Sequence, residues 1–173
     1  MERSHVNESM TVRGRKPKGS LYEPSTNEDE IAQRHQSIYS YTMTTNELIE
    51  KAVSVTKPYA SGDFASGGVG CALVTKKGNV YTGVCIDTSS SMGYCAEHNA
   101  IGSMITDGEY EIEQIVAVWK DGKKLHILSP CGRCRAFMFQ VDNKNLETKV
   151  VLSSEKVVPL KELLPYADWC ELI

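Results

Sequence analysis

The sequence reads Cys95-Ala96-Glu97 at one point and Pro130-Cys131-Gly132-Arg133-Cys134 further along, and these two stretches decide its predicted fold and chemistry. Cys131 and Cys134 are three residues apart at the start of a predicted helix, so their sulfurs share one face. Cys95 opens a second predicted helix. Three thiolates held at helix N-termini predict a zinc site with an open fourth position, which is typical of catalytic zinc.

Glu97 is the predicted proton carrier of this site. In a regular helix, residues two apart do not share a face, so Cys95 must stand where the chain is still entering its helix. Glu97 would then reach a water at the open position and act as general acid and base. His98 is a candidate fourth ligand, but its place beside Glu97 predicts that it points elsewhere.

The pattern around these stretches predicts an α/β fold. A helix begins after the capping-box spacing Thr44-x-x-Glu47 and ends before Pro58. Helices are also predicted from Cys95, from Cys131 after Pro130 at its first position, and over 160–164. Together with the strands they predict a three-layer fold, a five-stranded mixed sheet with helices on both faces and the site at one end. The predicted strands are 69–74, 80–86, 112–119, 125–128 and 149–152.

Composition limits the function classes. The chain of 173 residues has a net charge of −3 and suits one folded domain. It contains no apolar run long enough for a membrane helix, and its polar start is unlike a signal peptide. We therefore expect a cytoplasmic protein whose six cysteines are reduced.

Residues 1–43 are predicted to form a mobile N-terminal arm, followed by a catalytic domain over 44–173. The arm is polar and poor in large aliphatic residues, so it buries too little surface to fold. It contains the basic run Arg13-Gly14-Arg15-Lys16-Pro17-Lys18-Gly19, which loosely resembles arms that enter DNA minor grooves. A solvated tail is the simpler interpretation, and binding of nucleic acid is not expected.

The two cysteine stretches match the signature of the zinc nucleoside and nucleotide deaminases, a His or Cys, any residue and Glu, followed by Pro-Cys-x-x-Cys. With Cys as the first ligand, the chain resembles the small three-cysteine class of the cytidine deaminase family, which includes cytidine deaminases and blasticidin-S deaminases. The resemblance covers most of residues 46–169. It also includes Tyr81-Thr82-Gly83 and the longer run Ile127-Leu128-Ser129-Pro130-Cys131-Gly132-Arg133-Cys134-Arg135.

The resemblance implies a function. It implies one Zn²⁺ per subunit, a homotetramer or possibly a dimer, and a free cytosine nucleoside or analogue as the small-molecule substrate. Hydrolysis at C4 would release ammonia, with Glu97 protonating N3 and then the leaving amino group. The resemblance also places further residues near the substrate: Phe64, Ala96, Ser129 and Trp169.

Two departures from the family pattern concern recognition. Cytidine deaminases carry Asn-x-Glu where this chain has Cys85 and Asp87, and cysteine is a poor hydrogen-bond donor to ribose. His98 stands where the family usually has an Arg that eases the charge of three thiolates. Arg133 and Arg135 are available for that purpose. A solvated surface is the alternative for Arg133, and a small apolar core residue is the alternative for Cys85.

Three hypotheses remain open on the sequence. The first is an enzyme that acts on a free nucleoside or an aminated analogue. The second is a polynucleotide cytosine deaminase guided by the basic arm, which the folded part disfavours because it lacks excess basic residues and interleaved aromatics. The third is a non-catalytic zinc module with a closed site.

Overall fold

The structure is a computed structural model that describes residues 43–167. The predicted N-terminal arm, apart from Met43, and the predicted substrate contact Trp169 lie outside the described residues. Within residues 43–167, no helix has the length and apolar character needed to cross a membrane.

The described segment folds around one mixed sheet of seven strands. The strands are β1 (Tyr59–Ser61), β2 (Phe64–Thr75), β3 (Val80–Asp87), β4 (Ile112–Asp121), β5 (Lys124–Leu128), β6 (Lys149–Val151) and β7 (Val157–Pro159). β2 pairs antiparallel with β3 and β4, β4 pairs antiparallel with β5, and β4 runs parallel to β6. The short β1 and β7 pair with β2 and β6 at the ends of the sheet.

Within residues 43–167, four α-helices accompany the sheet, with two 3-10 turns at Ser89–Ser91 and Asn143–Glu147. The first helix opens with the predicted capping box, in which the Thr44 side chain accepts from the Glu47 amide and the Glu47 side chain bonds back to Thr44. The helices are α1 (Thr45–Val55), α2 (Ala96–Thr106), α3 (Gly132–Val141) and α4 (Leu160–Leu163).

Alternation along the central strands divides the core into two layers. In β2, Leu73 packs against the layer of α2 and α3, whereas Val74 packs against the layer of α1. β4 repeats this pattern with Ile115 and Val116. Successive strand residues point to opposite faces, so these apolar runs are buried on both sides. The predicted mixed sheet with helices on both faces is therefore confirmed.

The sheet differs from the prediction in strand count. All five predicted strands are present as β2 to β6, while β1 and β7 add three residues each. Such short edge strands carry too few residues for an alternation signal, which is why the sequence pattern does not predict them.

Helix α3 begins one residue later than predicted. Its first helical residue is Gly132, and Cys131 is the extended N-cap. Pro130 therefore lies two residues before the helix and not at its first position. The shift matters for the site, because it places Cys131 in the same conformation as Cys95.

Candidate metal and active site

Cys95 and Cys131 stand at equivalent positions on two helices. Cys95 is the N-cap of α2, with φ −67° and ψ 156°, and Cys131 is the N-cap of α3, with φ −67° and ψ 168°. Both sulfurs can therefore face a common point at the positive ends of two helix dipoles.

The helix that follows Cys95, α2, packs closely against β3 at Gly83. A Cβ built on Gly83 would lie 2.3 Å from the Ala100 amide nitrogen and 2.6 Å from the Ala96 carbonyl oxygen. Any larger residue at position 83 would push the start of α2, and Cys95 with it, away from the sheet.

The three predicted ligand sulfurs lie together. Cys95 Sγ is 3.7 Å from Cys131 Sγ, and Cys131 Sγ is 3.5 Å from Cys134 Sγ. Sulfurs bound at about 2.3 Å around a tetrahedral zinc would be about 3.8 Å apart. The spacing of the sulfurs therefore fits a single zinc ion.

His98 also faces this cluster, so the prediction that it points elsewhere is wrong. Its Nδ1 is 3.4 Å from Cys134 Sγ, and it belongs with Cys95 and Cys134 to a group of ligand atoms within 4.8 Å of one another. His98 follows Cys95 by three residues, a spacing that shares a helix face. Its ring stacks on Phe137 at 4.6 Å with an interplanar angle of 6°.

The electrostatics of the thiols fit a bound cation. Burial raises the pKa of the Cys95 and Cys134 thiols, and the charge of Glu97 raises that of Cys134 further. Cys131 is different, because hydrogen bonds from the Cys134 and Arg133 amides and from the neighbouring thiols outweigh burial and lower its pKa. Three thiolates at this point therefore require a compensating positive charge, which a divalent zinc would supply.

Glu97 is buried beside the sulfurs, with an exposed fraction of 6%. Burial raises the pKa of its carboxyl, while hydrogen bonding with its own amide and the Cys134 thiol opposes the rise. Because Cys95 is still extended, Glu97 on the first turn of α2 reaches the same side as the sulfurs. Cys95 thus stands where the chain is still entering its helix, which is the position that the sequence argument required for Glu97 to reach the site.

A cavity of about 510 Å³ opens over the cluster. Its size is that of a small-molecule site. The cavity includes the predicted site residues Cys85, Asp87, Ala96 and Ser129, together with Cys95, Glu97 and Cys131; the other lining residues are Val69, Ile86, Thr88, Ser91, Gly93, Tyr94, Ala117, Leu128 and Arg133.

Cys85 is already engaged within this wall. Its Sγ accepts a hydrogen bond from the Val69 amide at 3.2 Å and lies 3.6 Å from Asp87 Oδ2. The thiol therefore holds the end of β3 against β2 and braces Asp87. Asp87 is exposed on the cavity wall.

Arg135, a candidate positive charge for the three thiolates, bonds to other groups instead. Its guanidinium donates to Pro130 O at 2.7 Å, Leu163 O at 3.0 Å and Ser129 Oγ at 3.1 Å. It thereby fastens the loop before Cys131 to the end of α4. Arg133 lines the cavity, and its charge together with burial lowers the pKa of His98.

Phe64 is not brought into the cavity. It lies at the start of β2, is 37% exposed, and its ring centroid is 6.2 Å from that of Tyr59. Sequence reasoning also missed several wall residues, among them the polar side chains of Thr88 and Tyr94. For Tyr94 the available signal was its place directly before Cys95, whereas Thr88 gave none.

Three cysteine thiols spaced to hold one metal ion, a buried carboxylate and an overlying cavity define a candidate metal-dependent active site on the mixed sheet. The family model for the cytidine and deoxycytidylate deaminase zinc-binding region matches residues 43–150. The chain belongs to this family, and as a deaminase-type enzyme it falls among the hydrolases that act on carbon–nitrogen bonds.

Known proteins share both sequence and fold with this chain. Blasticidin-S deaminase of Bacillus cereus is 30% identical over 109 residues, covering 54% of this chain and 75% of that protein. Cytidine deaminase of Shewanella halifaxensis is 29% identical over 128 residues, and the match spans 72% of this chain but only 40% of that protein. The crystal structure of cytidine deaminase from Burkholderia pseudomallei superposes with a TM-score of 0.57 at 32% identity, covering 71% of this chain and 98% of the other.

Proposed function

We propose that this protein is a zinc-dependent hydrolytic deaminase that converts the 4-amino group of a free cytosine nucleoside or analogue into a carbonyl and releases ammonia. The observation that carries the proposal is the meeting of the Cys95, Cys131 and Cys134 sulfurs beside a cavity that Cys95, Cys131 and Glu97 line. Relatives named cytidine deaminase and blasticidin-S deaminase support the substrate class.

The proposed metal ligands are Cys95, Cys131 and Cys134, with one zinc per chain. Zinc bound there would supply Lewis-acid chemistry and activate a water toward the ring carbon. His98 is proposed to donate from Nδ1 to the Cys134 thiolate, which leaves the fourth position open. The 3.4 Å separation of those two atoms lies within the range of a hydrogen bond to sulfur and is also close to the distance of about 3.6 Å between a nitrogen and a sulfur on one zinc, so the zinc content of a His98 variant decides between the two roles.

Glu97 is proposed to move the protons. Its carboxyl is buried on the first turn of α2 and lines the cavity beside Cys95 and Cys131, which is where a group that exchanges protons with a bound substrate must lie. It would take the proton from the attacking water, place it on N3 of the ring and assist the leaving amino group. One water is consumed and one ammonia leaves, so the ring gains an oxygen and loses its nitrogen substituent.

The cavity wall is proposed to bind the rest of the substrate. Ala96 and Ser129 flank the cluster and present backbone groups for the base, while Asp87 offers a carboxylate for a sugar hydroxyl. Cys85 is bonded within the wall, so it offers the sugar little. This favours a modified sugar, a deoxynucleoside or an analogue such as blasticidin S over plain cytidine.

We place the enzyme in the cytoplasm and expect a homotetramer. Free thiols at Cys95, Cys131 and Cys134 suit a reducing compartment. Trp119 and Leu125, on the β4–β5 hairpin, are 41% and 44% exposed, and apolar surface of this kind is often covered by a subunit contact. Light scattering of the purified protein should give the mass of four chains, and a monomer mass would contradict the assembly.

The decisive experiment measures ammonia release from cytidine, deoxycytidine, blasticidin S and single-stranded oligonucleotides. We expect turnover of at least one free compound and none of the oligonucleotides. Turnover of oligonucleotides alone would instead identify a polynucleotide deaminase. A zinc-loaded protein inactive on every compound would be a structural zinc module.

A further inference from the structure

One aromatic residue stands in the wall of the cavity above the sulfur cluster. Among the described residues that line it, Tyr94 alone carries an aromatic ring. Phe64, expected near the substrate from the family resemblance, packs instead beside Tyr59. The cavity therefore takes its aromatic surface from a different part of the chain.

The backbone holds Tyr94 firmly at this place. Tyr94 N donates to Ile86 O at 2.8 Å, and Ile86 N donates to Tyr94 O at 3.0 Å, so the residue forms an antiparallel bridge with the end of β3. Gly93 permits this contact, because a Cβ there would lie 2.5 Å from Ile86 O. These two backbone hydrogen bonds and the adjoining N-cap residue Cys95 fix the position from which the Tyr94 side chain extends.

The segment before Tyr94 contains strained backbone. Ser90 and Ser91 both adopt φ 58°, the left-handed region that non-glycine residues rarely occupy. Strain of this kind persists where the surrounding structure holds the chain, and it is concentrated at binding sites. Here it brings the chain back from β3 so that Tyr94 reaches the cavity.

Tyr94 remains partly exposed within the cavity wall. The residue is 37% exposed, whereas its neighbours Ala96 and Glu97 are 0% and 6% exposed. No other ring of residues 43–167 stacks on it; the stacked or tilted ring pairs there involve other residues. An aromatic side chain left open in a concave site offers a flat apolar surface to a flat ligand.

We infer that Tyr94 is a substrate-binding residue whose ring contacts the planar base of the bound nucleoside. The inference rests on the proposed function and deepens it, because it names how this chain recognises the base. A stacking contact is present before and during the reaction, so its loss weakens binding more than it slows the chemical step. The phenol hydroxyl is not needed for such a contact.

The test compares Tyr94→Leu and Tyr94→Phe, with Tyr110→Leu as the matched control. Tyr110 is likewise an exposed tyrosine, at 50%, and it lies outside the cavity lining. Stacking of a base on an aromatic ring predicts that KM rises about fivefold or more in Tyr94→Leu. kcat should stay within about twofold, and Tyr94→Phe and Tyr110→Leu should resemble the wild type. A Tyr94→Met variant serves if Tyr94→Leu does not fold.

A binding measurement separates this inference from the proposed function. Calorimetry with uridine, a nucleoside of the product type, should show weaker affinity in Tyr94→Leu at unchanged zinc content. Wild-type turnover combined with an unchanged KM in Tyr94→Leu overturns the role of Tyr94 alone. An equal loss in Tyr94→Phe also overturns it, since the hydroxyl would then be the contact. A wild type that releases no ammonia from any nucleoside overturns the proposed function and this inference with it.

Discussion

The Sγ atoms of Cys95 and Cys131 lie 3.7 Å apart although 36 positions separate the residues in sequence. Each residue is the extended N-cap of its helix. The pairing is therefore a meeting of two helix starts at one end of the sheet, and Cys134 joins it from the first turn of α3.

The first prediction concerns metal content. The wild type should contain about one zinc per chain, and Cys131→Ala should lose it, because two thiolates no longer hold the ion. Cys131 is exposed, so its removal leaves no core cavity and any fall in Tm reports the lost metal. Elemental analysis of the purified variants measures the zinc.

His98→Gln is the matched variant for that experiment. It should keep its zinc, because His98 is proposed to hydrogen bond to Cys134 and not to ligate. Loss of zinc from His98→Gln would show a closed four-ligand site, and full zinc in Cys131→Ala would remove Cys131 from the ligand set.

The second prediction separates proton transfer from ligation. Glu97→Gln keeps the size of the side chain but removes its ability to exchange a proton, so turnover should fall by a factor of about 10² or more. Zinc content and Tm should remain near those of the wild type. Retained activity, or loss of zinc, would contradict the role proposed for Glu97.

The third prediction concerns the sugar. Cys85→Asn introduces an amide where the wild type has a thiol that is bonded to the Val69 amide. A new hydrogen bond to the sugar is worth about 0.5–1.5 kcal/mol, so kcat/KM for cytidine should rise about three- to tenfold. Deoxycytidine is assayed in parallel to show which hydroxyl is contacted. If cytidine is already the best substrate and the substitution gives no gain, Cys85 does not face the sugar.

The fourth prediction concerns stability against acid. Glu109 is buried, and hydrogen bonds from Asn79 and Tyr81 help to lower its pKa although burial alone would raise it. A carboxyl with a lowered folded-state pKa stabilises the protein above its ordinary pKa of about 4.3, and this contribution is lost as the pH falls through the folded-state pKa. Glu109→Gln should therefore cost about 1–2 kcal/mol of unfolding free energy at neutral pH and much less in acid.

Urea unfolding of Glu109→Gln at neutral pH and near pH 3 measures this difference. Glu155→Gln is the control, because Glu155 lies exposed in the bend before β7 and its side chain makes no hydrogen bond within residues 43–167. The same loss for Glu109→Gln at both pH values would show that its charge is not involved.

The sequence by itself determined the parts of this protein that depend on local spacing. Cys131 and Cys134 share a helix face because they are three residues apart, and Cys95 must precede its helix for Glu97 to reach the site. The apolar run that includes Leu73 and Val74 predicted a central strand, since a sheet buried on both faces needs apolar residues at consecutive positions. The five longer strands and their layering follow from such patterns.

Only the tertiary structure decided which side chains share the cavity. Phe64 and Tyr94 are both aromatic and both near a strand end, yet only Tyr94 lines the cavity, because its backbone pairs with Ile86 while Phe64 meets Tyr59. His98 turned toward Cys134 because Phe137, from another helix, stacks on its ring. These outcomes depend on contacts between segments that are far apart in sequence, and no local period encodes how such segments pack.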